Sequence, residues 1–373
     1  MKPEAIQLLS NAGLFGPVII VPLILQDVLG ADKNLIGLIQ GSFAAAGFVS
    51  FYMFGRAADV HGRRNILLMG LLLSGGATVL QVFSLMGGGL AMFAAVRVLV
   101  GFCSGMFPAA LVAYVYDMKG KMGVFSAFGA AGWAVGNITV GMFGTFYEGA
   151  YVFSAAIIFI SFAIAWTLPF PKEVRMEVPL FPVDLIRRNA PVYSAMLIRH
   201  TGANMIWVTY PLFLASLEAP PEWIGVIYAV NGFGQFAFMF LFDRPDPALL
   251  VAVGLVSSAL TFFTFTLAGN YWEIIPSQVL LAFAWASLYV GSLRYVMDRN
   301  KEKATASAML SSTMSISGIL GPMLGGVAAT AMGFEGTIWI ATGASVVALV
   351  IFVYELDRSG ELYRLRIRSR GPA

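Results

Sequence analysis

The sequence predicts an all-α membrane protein of twelve transmembrane helices, set in two pseudo-symmetric six-helix bundles with both termini cytoplasmic. Three observations predict it. First, 58% of the 373 residues are hydrophobic and 12% charged, against about 25% charged in a typical soluble domain, so lipid is the expected solvent. Second, the apolar residues fall into runs of membrane-spanning length. Third, Lys and Arg alternate between successive connections, which fixes an orientation.

A spanning helix needs about 20 mostly apolar residues. That ruler places spans at 6–29, 35–57, 65–86, 89–116, 122–147 and 149–170, then at 190–217, 222–242, 248–267, 271–297, 304–332 and 334–356. The stretch from Ala5 to Leu29 exceeds a signal-peptide core and has no cleavage site, so it is read as the first span. Forty glycines recur at small-xxx-small spacing, which lets helix backbones approach closely in a membrane bundle. Pro17, Pro22, Pro108 and Pro276 inside spans mark bends. The lone cysteine, Cys103, excludes an internal disulfide and reads as a small core hydrophobe.

With the N-terminus inside, the cytoplasmic connections hold Arg63 and Arg64; Lys119 and Lys121; Lys172, Arg175, Arg187 and Arg188; Arg244; and Arg299, Lys301 and Lys303. The tail adds Arg358, Arg364, Arg366, Arg368 and Arg370, whereas the outer connections hold only Lys33. Retention of positive charge on the cytoplasmic side supports both orientation and parity. The longest polar connection then divides the chain into a bundle at 1–170, a cytoplasmic loop at 171–189, a second bundle at 190–357 and a basic tail at 358–373. Arg97–Phe102 matches Gln278–Phe283, and the same offset lays Asp117 over Asp298, as expected for parallel repeats.

Between the second and third spans, Gly55, Asp59, Gly62, Arg63 and Arg64 fit G-x-x-x-D-x-x-G-R-R at every specified position. Gly55 permits close helix packing, Asp59 suits a helix N-terminus or a basic partner, Gly62 permits a tight turn, and the arginines stay at the interface. His61 in the same loop reads as solvated. These residues resemble the signature loop of the major facilitator superfamily, whose fold has the two-bundle form above. The resemblance implies that the loop is a conformational latch between the halves in the outward-facing state. The second half keeps only Asp243 and Arg244, with Met239 in the glycine's place, so its latch is expected to be degenerate.

Arg97, Gly101 and Gly105 in span 4 are similar to the family's arginine-bearing motif of proton-coupled members, with Val100 where glutamine is usual. Gly123, Gly132, Gly136 and Gly141 in span 5 resemble its antiporter motif, with Asn137 and Val140 as departures; span 11 carries Gly321-Pro322-Met323-Leu324-Gly325-Gly326. Glycine packing alone explains both equally well. These matches point to the drug:proton antiporter-like branch. Arg97 lies roughly 12 Å from the outer end at about 1.5 Å per residue, where an unpaired arginine is costly. Asp27, near the outer end of span 1, is the expected partner, and Arg97, Asp27 and His200 are the expected coupling groups.

In this family helices 1, 4, 7 and 10 line the central cavity, which places Arg97, Arg199, His200, Asn204, Trp207, Trp285 and Tyr289 there, with Asn231 and Gln235 as an i, i+4 amide pair on span 8. No acidic residue falls near mid-span. The expected function is secondary active transport of a small organic solute by alternating access, as proton-coupled export across the cell membrane. The alternatives are an organic-anion symporter or exchanger using Arg97 and Arg199, and a non-transporting sensor on the same fold. An enzyme is disfavoured: there are two histidines, no H-E-x-x-H and no phosphate-binding loop. The expected partners are the solute, protons or another coupling ion, and membrane lipids, with no cofactor, metal or nucleic acid, and the protein is expected to be a monomer.

Overall fold

The structure is a computed structural model that describes residues 2–31, 33–170, 177–207 and 210–360. Lys172, Arg175 and the tail arginines Arg364, Arg366, Arg368 and Arg370 lie outside the described residues. Every regular element among those described is helical. Among the described residues, seven helical segments are long and apolar enough to cross a membrane by length and composition.

The first apolar stretch is not one continuous helix. It runs as α1 (Lys2–Phe15), a 3-10 turn (Gly16–Ile19), α2 (Val21–Leu23) and a π-turn (Ile24–Val28). Pro17 and Pro22 lack the N–H that an α-helix needs, so the backbone tightens, with Ile20 N donating to Pro17 O at 3.1 Å. Then come α3 (Lys33–His61), α4 (Arg63–Phe83) with a π-turn at Ser84–Gly88, and α5 (Gly89–Ser104), broken from α6 (Pro108–Asp117) just before Pro108. α7 (Met122–Gly141) and α8 (Tyr147–Trp166) complete the first half. The second half comprises α9 (Val183–Trp207), α10 (Tyr210–Ser216), α11 (Pro221–Met239), α12 (Pro247–Phe265), α13 (Ile274–Arg299) and α14 (Lys303–Arg358). α14 is kinked where Gly333 takes φ 72°, ψ −174°, a backbone conformation essentially confined to glycine.

Within the first half, α1 packs on α7 and α8, α4 on α8, and α3 on α5; within the second, α9 packs on α14, and α12 on α13 and α14. The halves meet along α3 with α14 and α7 with α11. Helix ends carrying the basic connections gather at one end of the molecule. Lys2 reaches Thr167 Oγ1 there (3.0 Å), Arg188 reaches Asn300 Oδ1 (3.2 Å), and Arg294 reaches the carbonyls of Phe242 and Pro245.

The apolar cores show how the halves are tilted. Toward the basic end a single buried cluster joins Ile6, Ala58 and Leu111 of the first half to Val192, Ala304 and Ala308 of the second. At the other end the cores are separate. Ile20, Ile24, Phe93 and Tyr151 pack within the first half, while Tyr210, Leu214, Phe262 and Ile274 pack within the second. The halves are sealed at the basic end and part company away from it.

Candidate functional site

The seal is built around Asp59, in the last turn of α3 and 1% exposed. Its carboxylate sits at the N-terminus of α14, accepting from Thr305 N at 2.8 Å, Thr305 Oγ1 at 2.9 Å and Ala304 N at 3.4 Å. The unpaired N–H groups of a helix start favour negative charge. Arg63 donates to Asp59 from its own loop at 3.2 Å and also pairs with Asp117. Asp117 in turn accepts from Lys303 Nζ at 2.5 Å, crossing to the second half. Tyr116 Oη donates to Asp298 at 2.6 Å, so the two aspartates related by the repeat both bridge the halves. Arg64 lies 5.9 Å from the Trp166 ring at the rim, and His61 is exposed.

The two glycines of the loop have separate structural reasons. A Cβ on Gly55 would collide with the Cβ of Ala308 and stand 3.0 Å from Ala304 O, so α3 can touch α14 only through a bare backbone. Gly62 turns the chain between α3 and α4 at φ 105°, which disfavours any side chain. Arg56, an unspecified position in the motif, donates to Val178 O at 2.8 Å and ties down the loop between the halves.

The corresponding loop of the second half differs from expectation. Asp243 Oδ1 accepts from Gly123 N at 2.6 Å, at the N-terminus of α7, which mirrors Asp59 at α14. The contact needs only a carboxylate and a helix start, so losing the glycine and the G-R-R does not abolish it.

Between the halves lies a cavity of about 540 Å³, within the size range of small-molecule sites. Arg199, His200, Asn204 and Trp207 of α9 line it, with Asn231 and Gln235 of α11 and Trp285 and Tyr289 of α13. An apolar cluster including Ala127, Met239, Phe242 and Val290 closes it toward the basic end. Arg199 is 2% exposed; its Nε donates to Ser258 Oγ at 2.9 Å, and its charge lies 5.4 Å from the rings of both Phe262 and Trp285. Trp285 stacks on His200 (5.0 Å between centroids) and on Tyr289 (5.5 Å), forming a three-ring ladder on the wall. Gln235 donates to Asn231 Oδ1, one turn away.

Two expectations are corrected. Arg97 does not line this cavity. It is 1% exposed, its guanidinium rests 4.1 Å from the Phe43 ring, and its Nε and Nη2 have no hydrogen-bond partner. The phase of α5 turns it toward α3, away from the interface between the halves. Its repeat counterpart Gln278 is also buried in packing and donates to Tyr210 Oη. Nor does Asp27 pair with Arg97. Asp27 lies on an exposed turn of the π-helical segment, because the prolines break span 1 and redirect its outer end.

The cavity also contains residues that sequence reasoning missed: Gln7 and Asn11 on α1, Ser126 and Trp133 on α7, and Tyr228 on α11. Gln7 and Asn11 had a usable signal, being an i, i+4 polar stripe in an otherwise apolar span. Trp133 and Tyr228 had none, since an aromatic residue in a span serves lipid, packing or ligand alike.

The family model described as Major Facilitator Superfamily matches residues 5–191 and 192–369, together most of the chain. The chain is 23% identical over 371 residues to the quinolone resistance protein NorA of Staphylococcus aureus, covering 94% of each. Among solved structures it resembles a bacterial homologue of the iron transporter ferroportin in an outward-facing state (TM-score 0.78, 12% identity, 95% of this chain and 98% of that one). It also resembles the human organic anion transporter MFSD10 (TM-score 0.77, 15% identity, 94% and 98%).

Proposed function

Since the chain belongs to the Major Facilitator Superfamily, we propose that it is a secondary active transporter of the cell membrane that exports a small organic solute by alternating access, coupled to protons. The observation that carries the reading is the cavity between two halves that share a core at the basic end and have separate cores at the other. In this reading twelve spans are retained, and α14 and the segment Arg63–Asp117 each cross twice about their glycine breaks. The bundles at 1–170 and 190–357 are the rocking bodies. The basic end and both termini face the cytoplasm, so the cavity is loaded or emptied from outside.

Asp59, Arg63, Asp117 and Lys303 serve as the latch that must part for the inward-open state. Drug resistance in the name of the Staphylococcus relative supports export. His200 is assigned the coupling as the imidazole that lines the cavity wall, stacked on Trp285.

The test is efflux of a lipophilic fluorescent probe from proteoliposomes under an imposed pH gradient. Gradient-driven probe movement that a protonophore collapses supports the proposal; movement indifferent to the gradient removes proton coupling. His200→Gln is expected to flatten the pH dependence while leaving gradient-free counterflow intact.

A further inference from the structure

The polar chemistry of the cavity wall is one-sided. Among the described lining residues there is one full charge, the guanidinium of Arg199, and no carboxylate. Arg199 donates through Nε to Ser258 Oγ, and its Nη2 is buried without a partner. The amide of Asn231 gives its oxygen to Gln235 and leaves Nδ2 buried and unpaired. His200 Nδ1 and Ser126 Oγ are likewise unpaired. Every one of these four atoms can donate a hydrogen bond, and two of them can only donate. A buried donor without an acceptor is costly, and a buried cation without a counter-charge more so. The wall therefore lacks an acceptor that carries negative charge.

Shape adds a second constraint. The ladder of His200, Trp285 and Tyr289 offers near-parallel ring faces, with interplanar angles of 23° and 21°, beside Arg199. Such a surface favours offset stacking with a flat ring. A single buried cation is neutralised by a single anion. A dianion would retain an uncompensated charge, and an organic cation would meet Arg199 with no carboxylate to receive it.

We infer that the cavity selects an aromatic monoanion, its carboxylate toward the Arg199 guanidinium and its ring against Trp285 and Tyr289. This rests on the reading of the cavity as the transported solute's site and names the class of that solute.

The test uses the purified full chain and three probes of one shape: 2-naphthoate, the neutral 2-naphthamide and the cationic 2-naphthylmethylammonium. Binding is followed by tryptophan quenching and thermal shift. The expected ranking is naphthoate at least tenfold tighter than naphthamide, with the ammonium weakest. Arg199→Gln is expected to abolish the preference for naphthoate over naphthamide while retaining naphthamide binding. Ammonium binding as tight as naphthoate, equal affinity for naphthoate and naphthamide, or no binding of any probe at millimolar concentration would each overturn the inference. The wild-type ranking decides it even if Arg199→Gln does not fold. Counterflow separates the two levels: a wild-type protein that binds naphthoate selectively but never exchanges it across a bilayer defeats the transport reading and leaves the selectivity standing, whereas counterflow of the ammonium with naphthoate excluded does the reverse.

Discussion

Asp59 and Arg97 illustrate two opposite fates of a buried charge. Asp59 accepts from three donors of α14 and from Arg63, so it is fully compensated across the interface. Hydrogen bonds to a charged group contribute about 1.5–3 kcal/mol each. Thr305→Val, which deletes the hydroxyl partner alone, is expected to shift the closed–open balance at the basic end by roughly 10- to 100-fold. Spin labels at Lys121 and Lys301 would read this as growth of a longer distance population, and an unchanged distribution would mean that the bond is incidental. Arg97 instead stands on Phe43 with Nε and Nη2 unpaired. Replacing a poorly compensated buried charge by an apolar group of similar volume is often neutral or stabilising. Arg97→Met is therefore expected to hold or raise Tm, and Arg97→Lys to lower it, since the lysine keeps the charge and loses the flat face on the ring. A larger loss with Met than with Lys would show that this guanidinium is held by contacts of real strength.

At the scale of the helix, close approach and breakage are glycine properties here. Gly55→Val would wedge α3 off α14, since even one Cβ collides with Ala308. It is expected to hold the basic end open, raising solvent accessibility of a cysteine at Thr305 without preventing insertion. At Gly333, φ of 72° with ψ of −174° is a conformation that alanine adopts only with strain of about 1–3 kcal/mol. Gly333→Ala is expected to lower Tm by several degrees, whereas Gly326→Ala, with open space at its Cβ, is expected to leave it unchanged. The apolar runs made both regions readable as spans. The breaks in span 1 and before Pro108 were readable from proline, and the non-helical break at Gly333 falls between the runs read as 304–332 and 334–356. The dihedral angles that make it were not readable, because length and hydropathy register only apolar content.

For the whole molecule, the proposed twelve-span arrangement is tested by labelling. Cys103 is the one native cysteine and is buried, so Cys103→Ala gives a clean background. Cysteines at Lys33, Glu148 and Glu335 are expected to react with an impermeant maleimide from outside. Those at Lys121, Lys303 and Arg368 should react only after permeabilisation. Reversal at any two sites would reject the arrangement. Locking the basic end with a Lys121Cys–Lys301Cys crosslink should block transport while leaving probe binding from outside intact, because the cavity is closed only on that side.

What the sequence determined by itself is a matter of composition and local order. Membrane solvent follows from the balance of 58% hydrophobic against 12% charged residues, and the signature loop was legible because its five residues fall within ten positions and each has a local reason. Most of the proposed cavity was legible too: His200, Asn204 and Trp207, like Trp285 and Tyr289, recur at helical spacing with Arg199 beside them, so one correct face carries the others with it. Tertiary structure alone decided which face each span turns inward. Arg97 had depth and charge but faces Phe43 of a neighbouring helix, since a helix's rotation about its axis depends on what packs beside it. Asp243 shows the converse, a degenerate motif that nonetheless meets a helix N-terminus, because the partner lies 120 residues away and no local pattern records where that helix begins in space.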